Sequence, residues 1–251
     1  MARGVTLVTG ASAGLGAEFA RQCRRRGDEL VLVARRRDRL EALAAELGSC
    51  HVFAADLAEP GAPGRLLAQL DGLGLEVGTL INNAGFGVSG PFAAASSERL
   101  LEMIDLNIRA LTELCRLALP GMVQRRKGAI LNVASTAAFQ AGPNMAVYYA
   151  GKAYVLSLTE ALHQEMKGKG VKVTALCPGP TATEFFEVAE SAGSTLAKMA
   201  TDPVAVVRAG LRGLDRNRAI VVPGVTNKIG AYGTRLMPRA ALRRIVARIK
   251  M

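Results

Sequence analysis

Seven short apolar segments alternate with helical patterns along this chain, and that alternation restricts the fold more than any other feature. The segments at 5–9, 29–34, 51–54, 79–82, 129–134, 172–177 and 219–222 are dominated by Val, Leu, Ile and Ala. Short apolar runs of this kind read as buried strands. Helical patterns over 15–26, 39–47, 97–124 and 146–167 lie between them. Strands alternating with helices specify an α/β fold, a doubly wound parallel sheet of about seven strands with helices on both faces. Residues 58–64 contain Pro and Gly and read as a loop, not a boundary. We therefore expect one domain over 1–251.

A chain of 251 residues that is 50% hydrophobic, with mean hydropathy +0.21, can bury such a core. No apolar run reaches the roughly 20 residues that cross a bilayer. The first ten residues run straight into a strand-like segment, without the apolar stretch and cleavage site of a secretion signal. A cytoplasmic location is the expectation. Cys23, Cys50, Cys115 and Cys177 are scattered, with no Cys-x-x-Cys spacing, so neither a disulfide framework nor a metal cage is indicated. His51 and His163 stand alone, short of the converging ligands a zinc site needs. No metal is expected.

The net charge is +11 and the pI about 10.0, a balance that attracts nucleic acid, anionic membrane or a phosphorylated ligand. The cations fall in separate clusters at 24–26, 35–37, 125–127 and the C-terminal segment. Aromatic residues are only 4% and Trp is absent, which leaves few platforms for base stacking. Nucleic acid is not an expected partner.

The first strand runs into Thr9-Gly10-Ala11-Ser12-Ala13-Gly14-Leu15-Gly16, after which a helix begins. Glycines at such a turn let backbone N–H groups approach a pyrophosphate, and the helix N-terminus adds partial positive charge. The spacing is Gly-x-x-x-Gly-x-Gly, not the general Gly-x-Gly-x-x-Gly; its place after the first strand of a βαβ unit is what points to a dinucleotide. The second strand ends in Arg35-Arg36-Arg37 with no acid. A carboxylate there takes the ribose 2′-hydroxyl in NAD-binding proteins, whereas an Arg accommodates the 2′-phosphate of NADP. NADP(H) is the expected cofactor, held through Gly10, Ser12, Ala13, Gly14, Leu15, Gly16, Arg35 and Arg36.

Further on, Tyr148-Tyr149-Ala150-Gly151-Lys152 sets two tyrosines before a lysine. In a helix Tyr148 lies roughly 40° from Lys152 and Tyr149 roughly 60° from it on the other side. A tyrosine near a cation can act as a proton donor, but the geometry of the helix favours Tyr148 only slightly.

Taken in order, these pieces resemble the short-chain dehydrogenase/reductase family, in its compact single-domain branch. The resemblance is carried by Thr9–Gly16, Asp56-Leu57, Asn82-Asn83-Ala84-Gly85, Asn107, Ser135, Tyr148-x-x-x-Lys152 and Pro178-Gly179-Pro180-Thr181-Ala182-Thr183. It runs clearly from residue 5 to about 183 and more loosely to the C-terminus. It implies a Rossmann fold, an enzyme acting on CH-OH or C=O with NADP as acceptor, and Tyr148 as the general acid/base, four residues before Lys152. Tyr149 becomes a packing residue. Lys152 would bring Tyr148 nearer neutrality and hold the ribose hydroxyls, Ser135 would bond the substrate oxygen, and Asn107 would hold a water linking Lys152 to solvent. Asp56, beside Leu57, would accept from the adenine amino group. Asn83, Ala84 and Gly85 would line the ribose. Backbone from Pro178 through Gly179 and Thr181 to Thr183, with the Thr183 hydroxyl, would hold the nicotinamide carboxamide.

Loops at 86–92, 136–145 and 184–199 would surround the nicotinamide. They carry Phe86, Val88, Phe139, Met145, Phe185 and Phe186, with no Arg or Lys before Lys198. An apolar ketone or aldehyde is the expected substrate, of 3-oxoacyl, steroid-like or retinoid-like kind. A basic amphipathic helix is expected at about 235–250, packed on the domain or a partner subunit in preference to a membrane. A homodimer or homotetramer is expected through the helices at 97–124 and 146–167. The alternative to an enzyme is a non-catalytic dinucleotide-sensing protein of the same fold, which would be expected to lose the Tyr-Lys pair.

Overall fold

The computed structural model describes residues 3–48, 50–182, 184 and 201–248 of the chain. Strands β1 (Arg3–Thr9), β2 (Leu30–Ala34), β3 (Cys50–Ala54), β4 (Leu75–Asn82), β5 (Gly128–Val133), β6 (Val171–Leu176) and β7 (Ile220–Val221) form one sheet. Its order is β3-β2-β1-β4-β5-β6-β7, and every pairing is parallel. Helices α1 (Gly14–Arg25), α2 (Arg37–Leu47) and α7 (Pro203–Asp215) cover one face. Helices α3 (Ala62–Gly72), α5 (Leu111–Gln124) and α6 (Ala146–Glu165) cover the other. Among the described residues, no helix is long and apolar enough to cross a membrane.

The two-residue period of a strand explains the two layers. In β2, Val31 and Val33 enter the core under α3 and α5, while Leu30 and Leu32 enter the core under α1, α2 and α7. All four are fully buried, each worth on the order of 2 kcal/mol before chain entropy is counted. This is why β2 shows an unbroken apolar run and no alternation.

Strand order reverses at β1. The first three strands run outward to one side and β4 starts the other, so the C-terminal ends of β1 and β4 open a crevice where such folds bind ligands. A buried polar chain ties this region to α6. Asn82 Nδ2 donates to Asn132 Oδ1 (2.9 Å), and Asn132 Nδ2 donates to Thr159 Oγ1 (3.0 Å). Asn132→Ala strips both partners of a buried bond and should lower unfolding stability by about 3 kcal/mol. Urea unfolding with an unchanged m-value measures this.

Four elements differ from expectation. β4 starts at Leu75, not 79, because Glu76 and Gly78 interrupt its apolar pattern; the register shifts there, with Val5 opposite Val77 and Thr6 opposite Thr79. α3 begins inside the segment expected as a loop, with Pro63 in its first turn, where a missing N–H is tolerated. The helix expected over 97–124 is α4 (Ser97–Ile104), a π-helical turn (Asp105–Ala110) and then α5. After α8 (Val225–Gly233), the C-terminal helix expected at 235–250 is a 3-10 turn at Thr234–Leu236 followed by α9 (Arg239–Arg248). Pro238 separates them, its carbonyl accepting the first bond of α9 from Leu242 N.

Candidate active site

The turn after β1 has the geometry of an anion cradle. Gly10 and Gly14 adopt φ of +65° and +53°, a region open to glycine. A Cβ on Gly16 would lie 2.0 Å from Gly10 O, so only glycine lets α1 approach the turn. α1 starts at Gly14 with neither a side-chain cap nor an acid in its first turn, and its first amides have no partner within the helix. Thr9 Oγ1 braces the turn by accepting from Asn83 N and Ala84 N (both 3.0 Å), and Asn83 Nδ2 donates to Thr9 O (2.9 Å). Asn83, expected at a ribose, thus also pins the cradle.

A cavity of about 470 Å³ runs from this cradle across the C-terminal ends of the strands. Gly10, Ala13, Gly14, Leu15, Arg35, Arg36, Asp56, Leu57, Asn83, Ala84 and Gly85 form one end of its wall. Ser12 stands behind Arg36, its Oγ accepting from Arg36 Nε (3.3 Å) and Nη2 (3.2 Å). Arg36 Nη1 also donates to Glu184 Oε2 at 3.0 Å, and Arg39 pairs with the same carboxylate. Two guanidiniums converging on one anion form the donor set a phosphate monoester needs. Arg35 turns elsewhere, to Glu102 (3.0 Å) and Asp56 (3.6 Å). Sequence reasoning missed Arg39; its i,i+3 spacing from Arg36 into the first turn of α2 was the available signal. Asp56 Oδ1 caps the following turn by accepting from Ala58 N (2.9 Å).

At the other end of the cavity, Ser135, Tyr148 and Lys152 come together with Pro178, Gly179 and Thr181. Lys152 is buried, donates from Nζ to Val133 O (2.8 Å), and lies 5.7 Å from the Tyr148 ring centre. Ser135 caps a 3-10 turn, its Oγ accepting from Ala137 N at 3.1 Å. Tyr149 packs edge-on to Tyr148 and lies over Gly142, where a Cβ would stand 2.3 Å from its ring. Thr136 N donates to Pro178 O (2.9 Å), fixing the loop after β6. Thr183 and residues 185–200, with Phe185 and Phe186, lie outside the described residues.

Burial dominates the electrostatics. It raises Tyr148 well above the usual 10, against the pull of its hydrogen bond with Ser135, while Tyr149 adds a smaller push upward. It lowers Lys152 to about 8, against the raising influence of Cys177. The expectation that Lys152 draws Tyr148 toward neutrality is therefore reversed, because desolvation disfavours both charged forms. At neutral pH Tyr148 is a phenol, the form that can donate a proton.

Asn107 sits on the π-helical turn, a device common at functional sites. Its Oδ1 accepts from Phe86 N (3.1 Å) and its Nδ2 donates to Phe86 O (2.8 Å). These bonds clamp the loop after β4 and leave one lone pair of Oδ1 for the expected water. A Cβ on Gly85 would lie 2.8 Å from that oxygen and 3.7 Å from Lys152 Nζ. Glycine is what allows this approach.

Phe86, Leu106, Ala137, Met145, Tyr149 and Val246 give the cavity an apolar lining, to which Thr136 and Gln140 add polar groups. Val246 belongs to α9 and is 4% exposed, and Leu242 packs beside it. The C-terminal helix therefore packs on the domain, as expected, but directly on the cavity, which was not. Phe139 instead meets Tyr232 edge-on at 5.9 Å. Among the described residues no group of His, Cys, Asp or Glu could hold a metal. His51 bonds Glu29 (2.9 Å) and His163 bonds Val173 O (2.8 Å), and the four cysteines are unpaired.

The doubly wound sheet thus carries a glycine cradle and a Ser-Tyr-Lys cluster on one crevice. The model of the family described as short chain dehydrogenase matches residues 4–192, and the chain belongs to that family. Among curated relatives, a very-long-chain 3-oxoacyl-CoA reductase of Anas platyrhynchos is 34% identical over 194 residues, covering 73% of this chain and 62% of that protein. An NADP-dependent 3-hydroxy acid dehydrogenase of Salmonella typhi is 38% identical over 201 residues, covering 76% of this chain and 80% of that one. A solved short-chain dehydrogenase from Sphingobium yanoikuyae in complex with NADPH superposes with TM-score 0.83 at 34% identity, over 99% of this chain and 96% of that one.

Proposed function

We propose that this protein is an NADP(H)-dependent oxidoreductase that interconverts an apolar ketone or aldehyde and its alcohol. The observation carrying this reading is one cavity lined by Gly10, Gly14 and Arg36 as well as by Ser135, Tyr148 and Lys152, with Ser12 bonded to Arg36 and Arg39 sharing Glu184 with it just outside that lining. The NADP-dependent relative and the NADPH-bound neighbour support the cofactor. The relative named for 3-oxoacyl-CoA reduction supports an acyl carbonyl among the apolar candidates.

When bound, the nicotinamide would supply the hydride. In the direction of reduction, Ser135 Oγ bonds the carbonyl oxygen and Tyr148 Oη donates the proton that oxygen needs. Lys152, charged, stabilises the phenolate left behind. The cradle at Gly10–Gly16 would take the pyrophosphate, Arg36, Arg39 and Ser12 would take the 2′-phosphate, and Asp56 with Leu57 would hold the adenine. Ala84 and Gly85 would leave room for the ribose, with Lys152 binding its hydroxyls. Pro178, Gly179 and Thr181 would hold the carboxamide, and Asn107 acts as a positioning residue through Phe86. Residues 1–251 act as one catalytic unit, because Val246 near the C-terminus closes a cavity that begins at Gly10. Exposed Leu101, Leu117 and Tyr154 on α4, α5 and α6 support a homo-oligomer through those helices.

A dependence on pH follows from Lys152. Its charged form exists below about 8 and is lost as pH rises through that value. The reductive kcat/KM, which reports groups of the free enzyme, should hold at lower pH and fall above an inflection near 8. A flat profile up to pH about 10, the ordinary lysine range, would contradict the role given to Lys152. The reading as a whole is tested by following NADPH oxidation with a panel of apolar ketones, aldehydes and 3-oxoacyl esters. Turnover with NADPH and much less with NADH supports it; failure of either cofactor to bind overturns it.

A further inference from the structure

The last 36 residues, from Arg216 to Met251, contain nine Lys and Arg and no Asp or Glu, and so carry +9 of the chain's net +11. The same segment holds the most exposed apolar side chains of the described residues. On α8, Val225, Ile229 and Tyr232 are 73%, 68% and 41% exposed. Their i, i+4, i+7 spacing makes them one outward stripe, while Ala231 faces inward. Leu236, in the turn that follows, is 89% exposed, and Met237 and Ile245 are also exposed. Among the described residues, Lys228, Arg235, Arg239, Arg243, Arg244 and Arg248 form no ion pair, although ion pairs are frequent around α1, α2 and α4.

We infer that the face made by α8, the 3-10 turn and α9 docks on the surface of an anionic lipid bilayer. Apolar side chains offered on short helices amid unpaired cations match a surface with negative headgroups above acyl chains. A nucleic acid would use the cations but leave Leu236 and Ile229 in water. A second copy of this chain, joined through this face, would cover the apolar stripe but crowd its cations, Lys228 and five arginines, against the same set on the other copy. The bilayer satisfies both halves of the surface. Docking also places α9 against lipid while its inner side, at Val246, closes the apolar end of the cavity. An apolar substrate could then pass from the acyl layer without crossing water. That consequence rests on the proposed function; the docking itself does not.

The test is co-sedimentation of the full-length protein with vesicles of phosphatidylcholine alone or with added phosphatidylglycerol, for wild type and an Ile229→Asp/Leu236→Asp variant. Wild type should pellet with the anionic vesicles and stay in the supernatant with neutral ones. Since partitioning grows with apolar area placed in the interface, the variant should lose about tenfold or more of its vesicle binding. NADPH fluorescence and circular dichroism of the variant should match wild type, which shows that the fold and cofactor site survive. Equal behaviour toward both vesicle types, or no change in the variant, overturns the inference. So does loss of a dimer in the variant, seen by light scattering without lipid, because the stripe would then be a subunit interface. These readouts need no turnover, so their failure is distinct from failure of the proposed reaction.

Discussion

Tyr148→Phe should lower kcat for carbonyl reduction by about 10³-fold, the scale of losing a positioned general acid. NADPH affinity should change little. The substitution keeps the ring that fills the space between Lys152 and the Tyr149 ring and removes only the hydroxyl held with Ser135. Tyr149→Phe is the matching control, with an expected loss of less than about threefold, because that ring serves packing over Gly142. Steady-state kinetics of the two variants, together with NADPH titration by fluorescence, distinguish the roles. A dead Tyr149→Phe beside an active Tyr148→Phe would reverse the assignment.

Arg36→Ala combined with Arg39→Ala should reduce the preference for NADPH over NADH by about 10²-fold or more. Each guanidinium would contribute a charge-assisted bond of roughly 1.5–3 kcal/mol to the 2′-phosphate. The KM for NADH should barely move, since no contact to a free 2′-hydroxyl is lost. Arg35→Ala should matter less, because two carboxylates, Asp56 and Glu102, hold that one side chain, whereas Arg36 and Arg39 share the single carboxylate of Glu184. Ratios of kcat/KM for the two cofactors measure all three effects. A larger loss from Arg35→Ala than from the pair would place the 2′-phosphate on the strand end instead of the helix turn.

The contrast between Arg35 and Arg39 shows what a sequence discloses and what it withholds. The strands and the doubly wound class were legible because central strands such as β2, buried on both faces, are short apolar runs set between helical patterns. The glycine turn was legible because φ above zero and the contact at Gly16 admit no other residue there. Ser135, Tyr148 and Lys152 were legible through family spacing, and the structure brings them into one cluster. Arg39 was hidden because a three-residue helical step, unlike a strand end, gives no direction until the helix is placed. The π-helical turn around Asn107 was hidden as well, since the apolar spacing of 97–124 reads as one uninterrupted helix. Val246 was read only as part of an amphipathic pattern. Which body its apolar side would meet depends on tertiary packing more than 90 residues from Tyr148 in sequence (246 minus 148). The direction of the Tyr148 shift was misjudged for a related reason: spacing reveals a neighbouring cation but not the burial that outweighs it.

The most direct measurement is the fate of the hydride itself. Purified protein would be incubated with an apolar ketone and NADPH carrying deuterium at nicotinamide C4, each face labelled separately, and the alcohol examined by mass spectrometry. One label should deliver deuterium to the carbinol carbon and the other should not, with Tyr148→Phe forming almost no alcohol. Alcohol without deuterium from either label, or undiminished formation by Tyr148→Phe, would contradict hydride transfer at the Ser135–Tyr148–Lys152 cluster.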